Sequence, residues 1–360
     1  MFKTPLNSWH HQHNGRMVDF AGWEMPVQYS SIVQEHNAVR NQVGLFDISH
    51  MGRLAFMEPC AMEFLNRVLT NDATRLNPGD IRYSLICRND GGILDDVLIY
   101  RMASHWELVV NASNREKIVQ WLQQQPQFSD CGFQDRTLET GMVAVQGPQA
   151  LAIASELLNV DVGALKYYTG MPVRFLDSDA FVSRTGYTGE DGCEITVPAV
   201  QTEVLWQRLL QLGESRGIVP AGLGCRDTLR LEAAMPLYGH ELSEQIDPLT
   251  AGLSFGVKLN KSEFIGRDAL VAIREAGPSR VRVGLELEGR RIAREHTPVE
   301  SNGQPVGEVT SGTFSPTLQK TIAMAYVDPG AAAIGTQLEA IVRGTAIPAT
   351  VVPLPFYRRS

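Results

Sequence analysis

Asp95 and Asp96 stand side by side in Gly91-Gly92-Ile93-Leu94-Asp95-Asp96-Val97-Leu98-Ile99-Tyr100-Arg101, a stretch that otherwise reads as a glycine turn feeding an apolar strand. Strand side chains alternate, so Asp95 shares a face with Ile93, Val97 and Ile99, and Asp96 shares the other with Leu94, Leu98 and Tyr100. An unpartnered carboxylate among apolar neighbours costs on the order of several kcal/mol, so each aspartate needs a reason to be there. Asp95, nearer the turn, is expected to be structural, satisfied by local backbone or an arginine. Asp96, one residue deeper, is the candidate site carboxylate, of a type suited to positioning a ligand and moving a proton.

Other reactive residue types cluster elsewhere. Glycines at 186, 189 and 192 within Arg184–Gly192 predict a tight loop able to wrap a ligand, with Glu194 in the strand that follows. Arg226 lies in Gly222–Glu232, a glycine-rich turn into a helix. Asp47, Ser49 and His50 are the residue types of a hydrolase triad. Read as neighbours on one strand, however, they cannot meet, and no G-x-S-x-G elbow accompanies them. Nor is there a G-x-G-x-x-G or a P-loop. His10, His11 and His13 form a cluster that no second Cys/His group completes, so a surface or locally bonded cluster is expected rather than a metal site.

The elements that must position these residues alternate without βαβ regularity. Ser31 opens a helix with Ile32, His36, Val39 and Val43 on its apolar face and Gly44 at its end. Leu45–Arg53 alternates as a strand would. A short helix is expected over 60–70, strands over 81–88, 92–102 and 106–112, and a helix from Asn114 to about Gln124. A strand over 139–146 precedes a helix over 148–158, and the helix 201–213 offers Val204, Leu205, Leu209 and Leu212 as its apolar face. After a helix over 266–275, short β-type runs at 281–288, 305–311, 320–328, 337–343 and 346–353 predict a separate all-β barrel or sandwich. The class is α+β.

Composition narrows the function. The chain has 360 residues, with 44% hydrophobic and 20% charged, an ordinary globular balance sufficient for two or three domains. The net charge of −8 argues against a nucleic-acid or anionic-membrane partner. There is no apolar run of membrane-spanning length and no N-terminal signal core, so a cytoplasmic protein is expected. The 5 cysteines are odd in number and form no CxxC, which predicts reduced thiols, most of them in the core.

Taken together, these segments resemble the T proteins of the glycine cleavage system, the folate-dependent aminomethyltransferases, over essentially the whole length. The resemblance is carried by Gly44–Gly52, Gly91–Asp96, Arg184–Gly192, Gly224–Glu232 and Thr310–Thr317, in that order. It implies a three-domain cloverleaf: two α+β domains and a C-terminal β-barrel-like domain around a central folate-binding hole. The domains would be 1–48 with 139–240, 49–138 with 241–278, and 279–360. It implies transfer of a one-carbon unit from the aminomethyl-lipoyl arm of H protein to tetrahydrofolate, releasing ammonia, methylenetetrahydrofolate and dihydrolipoyl H protein. Tetrahydrofolate is then a co-substrate, lipoylated H protein the partner, and no metal is required. Carried over residue by residue, Asp96 is catalytic, Glu194 grips the pterin and Arg226 reaches the same end. Met51, Tyr83, Tyr100, Asn111 and Tyr187 line the slot, and Tyr357 closes it. Arg290 and Arg291 are either a face for H protein or a solvated turn. Alternatives are a folate-dependent demethylase of the same superfamily, a folate-binding iron–sulfur assembly protein and an interaction protein without enzymatic activity. The second normally carries a K-G-C-Y-x-G-Q-E segment, absent here.

Overall fold

The computed structural model describes residues 1–359, which divide into two compact units. The first contains Met1–Leu65, Ala73–Tyr83 and Val97–Asp227; the second contains Asn66–Asp72, Ser84–Asp96 and Thr228 onward.

In the first unit a six-stranded sheet runs Gly170–Phe175, Ser178–Ser183, Gly192–Pro198, Thr140–Gln146, Val43–Asp47, Ile218–Pro220. Its pairs are antiparallel except the last, where Ile218–Pro220 runs parallel to Val43–Leu45. Helices Ala150–Leu158 and Thr202–Gly213 supply Ile153, Ala154, Leu205, Trp206 and Leu209 to a core with Leu45, Val143, Val145 and Ile195 from the strands. Trp206 takes the place expected for Val204, which is 39% exposed. The helical rotation turns position 204 outward and 202, 205, 206 and 209 inward.

Ser31 caps helix Ile32–Asn41 by accepting from the Gln34 N–H at 3.2 Å. The helix stops before the expected glycine, and Val43 and Gly44 already belong to the strand Val43–Asp47. Gly44 is there for space: a Cβ on it would sit 2.3 Å from Val39 Cγ2. The histidine cluster is also different from the expectation. His10 and His11 lie in helix Asn7–Gln12 and His13 caps its end, and His10 is fully buried, bonded through Nε2 to Asp47 Oδ2 at 2.9 Å and through Nδ1 to the Tyr29 hydroxyl at 2.8 Å. A short helix places only one of the three imidazoles inward; His11 and His13 remain exposed.

Leu45–Arg53 is two strands, not one. Val43–Asp47 ends in a turn, and Gly52–Met57 starts a second sheet of order Ile81–Cys87, Ile93–Arg101, His105–Val110, Gly52–Met57, Gln134–Asp135. The turn is held by charge. Asp47 Oδ1 accepts the Ser49 N–H at 2.9 Å, and the buried Arg53 guanidinium donates to the carbonyls of Ser49 at 3.1 Å and Met51 at 2.6 Å.

In the second unit, Val281–Leu287, Lys320–Val327, Gln304–Ser315, Pro298–Ser301, Gln337–Val342 and Thr345–Val352 close into a six-stranded barrel. Its interior is filled by Val283, Leu285, Val299, Val309, Ala323, Ala325 and Val351. Strand Lys320–Val327 is buried on both faces, because Ile322 and Met324 point outward against Leu231 and Ala234. Between Val309 and Ser311 the register shifts, so Thr310 and Ser311 both reach partners outside the ladder. Thr310 Oγ1 donates to Glu241 Oε1 at 2.6 Å, while Arg230 donates to Glu241 Oε2 at 2.7 Å and to Ser311 Oγ at 2.8 Å. Glu232 accepts from Ser315 Oγ at 2.5 Å and Thr317 Oγ1 at 2.8 Å. The Gly224–Glu232 and Thr310–Thr317 motifs thus meet through the last turn of one helix and one barrel strand.

Candidate functional site

Strand Gly192–Pro198 and helix Leu223–Glu232 place Glu194 and Arg226 in the first unit. Glu194 is buried, and its carboxyl is held above the usual range by that burial, against the opposing pull of Thr185 and Arg226. Thr185 Oγ1 donates to Glu194 Oε2 at 2.5 Å and lies 2.9 Å from Ser183 Oγ. The Tyr187 ring sits under the guanidinium, with Arg226 Cζ 4.9 Å from its centroid. The Tyr100 hydroxyl is buried beside Ser183, Thr185 and Glu194, yet makes no well-formed hydrogen bond with them. Arg226 Nη1 and His50 Nδ1 are likewise buried with no protein partner. Buried polar atoms are ordinarily satisfied, so the unpartnered Tyr100 hydroxyl and Arg226 Nη1 beside the Glu194 carboxylate suit a planar polar ligand edge.

Met51 packs with Ile81, Tyr100 and Val109, and Phe181 meets Tyr100 edge-on at 6.2 Å. The structure therefore brings Glu194, Arg226, Tyr187, Tyr100 and Met51 into one neighbourhood of the first unit. Tyr83 is half-buried in strand Ile81–Cys87, and Asn111 precedes the short turn Ala112–Asn114. Asp96 and Tyr357 belong to the second unit. The Tyr357 N–H donates to the Glu232 carbonyl at 2.8 Å.

Around Asp96 the strand alternation is visible in burial. Ile93, Asp95, Val97 and Ile99 are all buried, whereas on the opposite face Leu94 and Tyr100 are buried and Asp96 and Leu98 are partly open. The glycine turn is closed by Asp90. Asp90 Oδ1 accepts the Gly92 N–H at 3.1 Å, and Asp95 is completely buried. Gly92 admits no side chain, since a Cβ would lie 2.2 Å from the Glu244 carbonyl oxygen. Tyr238 donates to the Ile93 carbonyl at 3.1 Å, and both aspartates raise its phenol in addition to the larger effect of burial.

Several contributors were not anticipated. Thr185 belongs to the glycine loop in the sequence pattern, and its hydroxyl is Glu194's partner. His50 enters the sequence reading only as a rejected triad member and within Gly44–Gly52; burial lowers it to about 4, with Arg226 and Arg53 adding and Asp47 opposing. Arg53 holds the Ser49–Met51 turn and is itself lowered to about 10 by burial. Asp47, Ser49 and His50 do not assemble a triad. Asp47 pairs with His10, and Ser49 Oγ donates to the Met142 carbonyl at 3.3 Å. An open cleft of ≈ 390 Å³ lined by Lys3, Trp23, Ser49, Thr137, Thr140 and Val200 contains none of the candidate residues.

No helix among the described residues is long and apolar enough to cross a membrane. Residues 6–261 match the GCVT N-terminal domain, and residues 280–358 match the glycine cleavage T-protein C-terminal barrel domain. An aminomethyltransferase of Desulfitobacterium hafniense is 45% identical, the match covering 99% of this chain and 98% of that protein. One from Symbiobacterium thermophilum is 47% identical, covering 99% and 97%. The crystal structure of glycine cleavage system aminomethyltransferase T from Bartonella henselae superposes with a TM-score of 0.92 at 36% identity, covering 99% of this chain and 98% of that one. The chain belongs to the aminomethyltransferase family, the T proteins of the glycine cleavage system.

Proposed function

We propose that this protein transfers the one-carbon unit of an aminomethyl-lipoyl H protein to tetrahydrofolate, with release of ammonia and the dihydrolipoyl H protein. The observation that carries the folate assignment is the buried Glu194 carboxylate beside an Arg226 whose Nη1 has no protein partner. Glu194 accepts N–H bonds from the amino-pyrimidinone edge of the pterin, and Arg226 donates to the same end. Thr185 fixes the carboxylate, while Tyr187 fixes the guanidinium plane from below. Tyr100 and Met51 offer flat and soft apolar surface, with Tyr83 and Asn111 as further lining residues and Tyr357 as a closing one. Tetrahydrofolate supplies the nucleophilic nitrogens when bound, so no protein side chain has to bond to the one-carbon unit. Asp96, partly exposed on its strand, is assigned the proton handling and orientation of those nitrogens. The domain division 1–48 with 139–240, 49–138 with 241–278, and 279–360 goes with this reading.

The experiment supplies aminomethylated lipoyl H protein and tetrahydrofolate and follows methylenetetrahydrofolate. Turnover that falls ~10²–10⁴-fold in Asp96→Asn, with the fold intact, is expected. Wild-type rates in that variant remove Asp96 from the mechanism. Absence of turnover, with activity on a methylated small molecule instead, would show a demethylase.

A further inference from the structure

Cys60 and Cys131 are 71 residues apart in sequence, yet their sulfurs lie 2.7 Å from one another in the first unit. Both are free thiols, and both sulfurs also approach the Gln127 carbonyl oxygen, at 3.5 Å for Cys60 and 3.2 Å for Cys131. The backbone on each side is anchored. The Cys60 carbonyl accepts the Phe64 N–H at 3.1 Å at the start of helix Ala61–Val68, and the Cys131 carbonyl accepts the Met57 N–H at 2.7 Å from the neighbouring strand. Phe56, Phe64, Phe128 and Phe133 pack around the same junction, with successive ring centroids 5.0–6.0 Å apart. A disulfide has an S–S length of about 2.05 Å, so the two sulfurs lie within a fraction of an ångström of bonding distance.

We propose that Cys60 and Cys131 form an oxidisable dithiol, a modification site that peroxide closes to a disulfide linking the start of helix Ala61–Val68 to the loop 124–133. Access assigns the order of events. Cys60 is partly exposed, while Cys87, Cys131, Cys193 and Cys225 are buried, so Cys60 is where a peroxide arrives. The Cys60 thiolate attacks hydrogen peroxide, the O–O bond breaks, and a sulfenic acid and hydroxide form. The Cys131 sulfur, deprotonated as it attacks, then displaces the sulfenic oxygen, which leaves as water. The net change is two thiols and one peroxide to one disulfide and two waters. Burial and the neighbouring Cys60 push the Cys131 thiol up to about 12, which suits the resolving thiol rather than the first nucleophile.

The test treats the reduced full-length protein with hydrogen peroxide, alkylates remaining thiols under denaturing conditions and maps the peptides by mass spectrometry. The expected product is a Cys60–Cys131 cross-linked peptide pair two mass units below the dithiol, with Cys87, Cys193 and Cys225 alkylated. The apparent Tm is expected to rise by ~3–10 °C, because a long loop is closed, and dithiothreitol should restore the original value. Cys60→Ser, at the partly exposed position, should fold and keep its Tm unchanged by peroxide. Recovery of Cys60 and Cys131 both alkylated after treatment, or of Cys60 over-oxidised without a cross-link, overturns the proposal. So does a peroxide-induced Tm rise that persists in Cys60→Ser.

Discussion

Lowering the pH should remove a defined part of this protein's stability through one side chain, His50. In the folded chain its imidazole falls from 6.5 to about 4, through burial first, then Arg226 and Arg53, with Asp47 opposing. The unfolded chain binds the proton at the ordinary value, so between pH 6.5 and 4 the unfolded state holds more protons than the folded one. Stability at this site is therefore fully present above about pH 6.5 and is lost as the pH falls toward 4, below which both states are protonated. At about 1.36 kcal/mol per pH unit, the shift is worth ~3 kcal/mol. His50→Gln keeps a polar side chain of similar size without the titration. Urea unfolding of both proteins from pH 7.5 to 4 should show a constant difference above pH 7. Below that, the difference should move by ~3 kcal/mol in the variant's favour. An imidazole titration followed by NMR should place His50 near 4. A difference curve flat across the whole range, or a His50 resonance titrating near 6.5, would refute the reasoning.

Other expectations follow from the same contacts. Glu241→Gln leaves the Arg230 charge buried without its counter-charge and should cost ~3–5 kcal/mol in urea unfolding. The double change Arg230→Met with Glu241→Leu should stay destabilised, because the Thr310 and Ser311 hydroxyls and the Leu237 N–H lose these partners. Glu194→Gln loses a charge-assisted acceptor and should weaken tetrahydrofolate binding roughly 10- to 100-fold by calorimetry, and unchanged affinity would dissociate Glu194 from the pterin. Ser31→Ala removes the cap of helix Ile32–Asn41 and should cost ~1 kcal/mol by thermal unfolding while leaving turnover unchanged.

The strands and the barrel were readable because their signals are local: Gly91–Gly92 before an apolar run, and turn residues at short intervals after residue 281. Where the reading failed, a distant partner decided. Leu45–Arg53 breaks into two strands because Arg53 collects carbonyls in the turn, and no pattern of alternation announces that. Val204 and Trp206 are both apolar, but the helical rotation that points Leu205 and Leu209 at the core carries Trp206 inward with them and leaves Val204 39% exposed. His10 looks like a surface histidine until Asp47, across the fold in sequence, bonds it. The candidate site divides in the same way. Glu194, Arg226, Tyr100 and Tyr187 were nameable from motif and resemblance. Thr185 bonds Glu194, His50 feels the charge of Arg226 and Arg53 holds the Ser49–Met51 turn, relations that exist only once the chain is folded.

The outer face of barrel strand Lys320–Val327 bears on how this chain can be cut and recombined. The barrel family boundary falls at residue 280, yet Ile322 and Met324 are covered by Leu231 and Ala234, and the hydroxyls of Thr310, Ser311, Ser315 and Thr317 are matched to Glu241, Arg230 and Glu232. A fragment starting at 280 would carry a complete barrel with a bare apolar flank and unpaired hydroxyls. A fragment starting at Thr228 would keep both covered. Exchange of barrels between members of the family should therefore succeed when the end of helix Leu223–Glu232 travels with the barrel, and should produce poorly soluble chimaeras when the junction is placed at the family boundary.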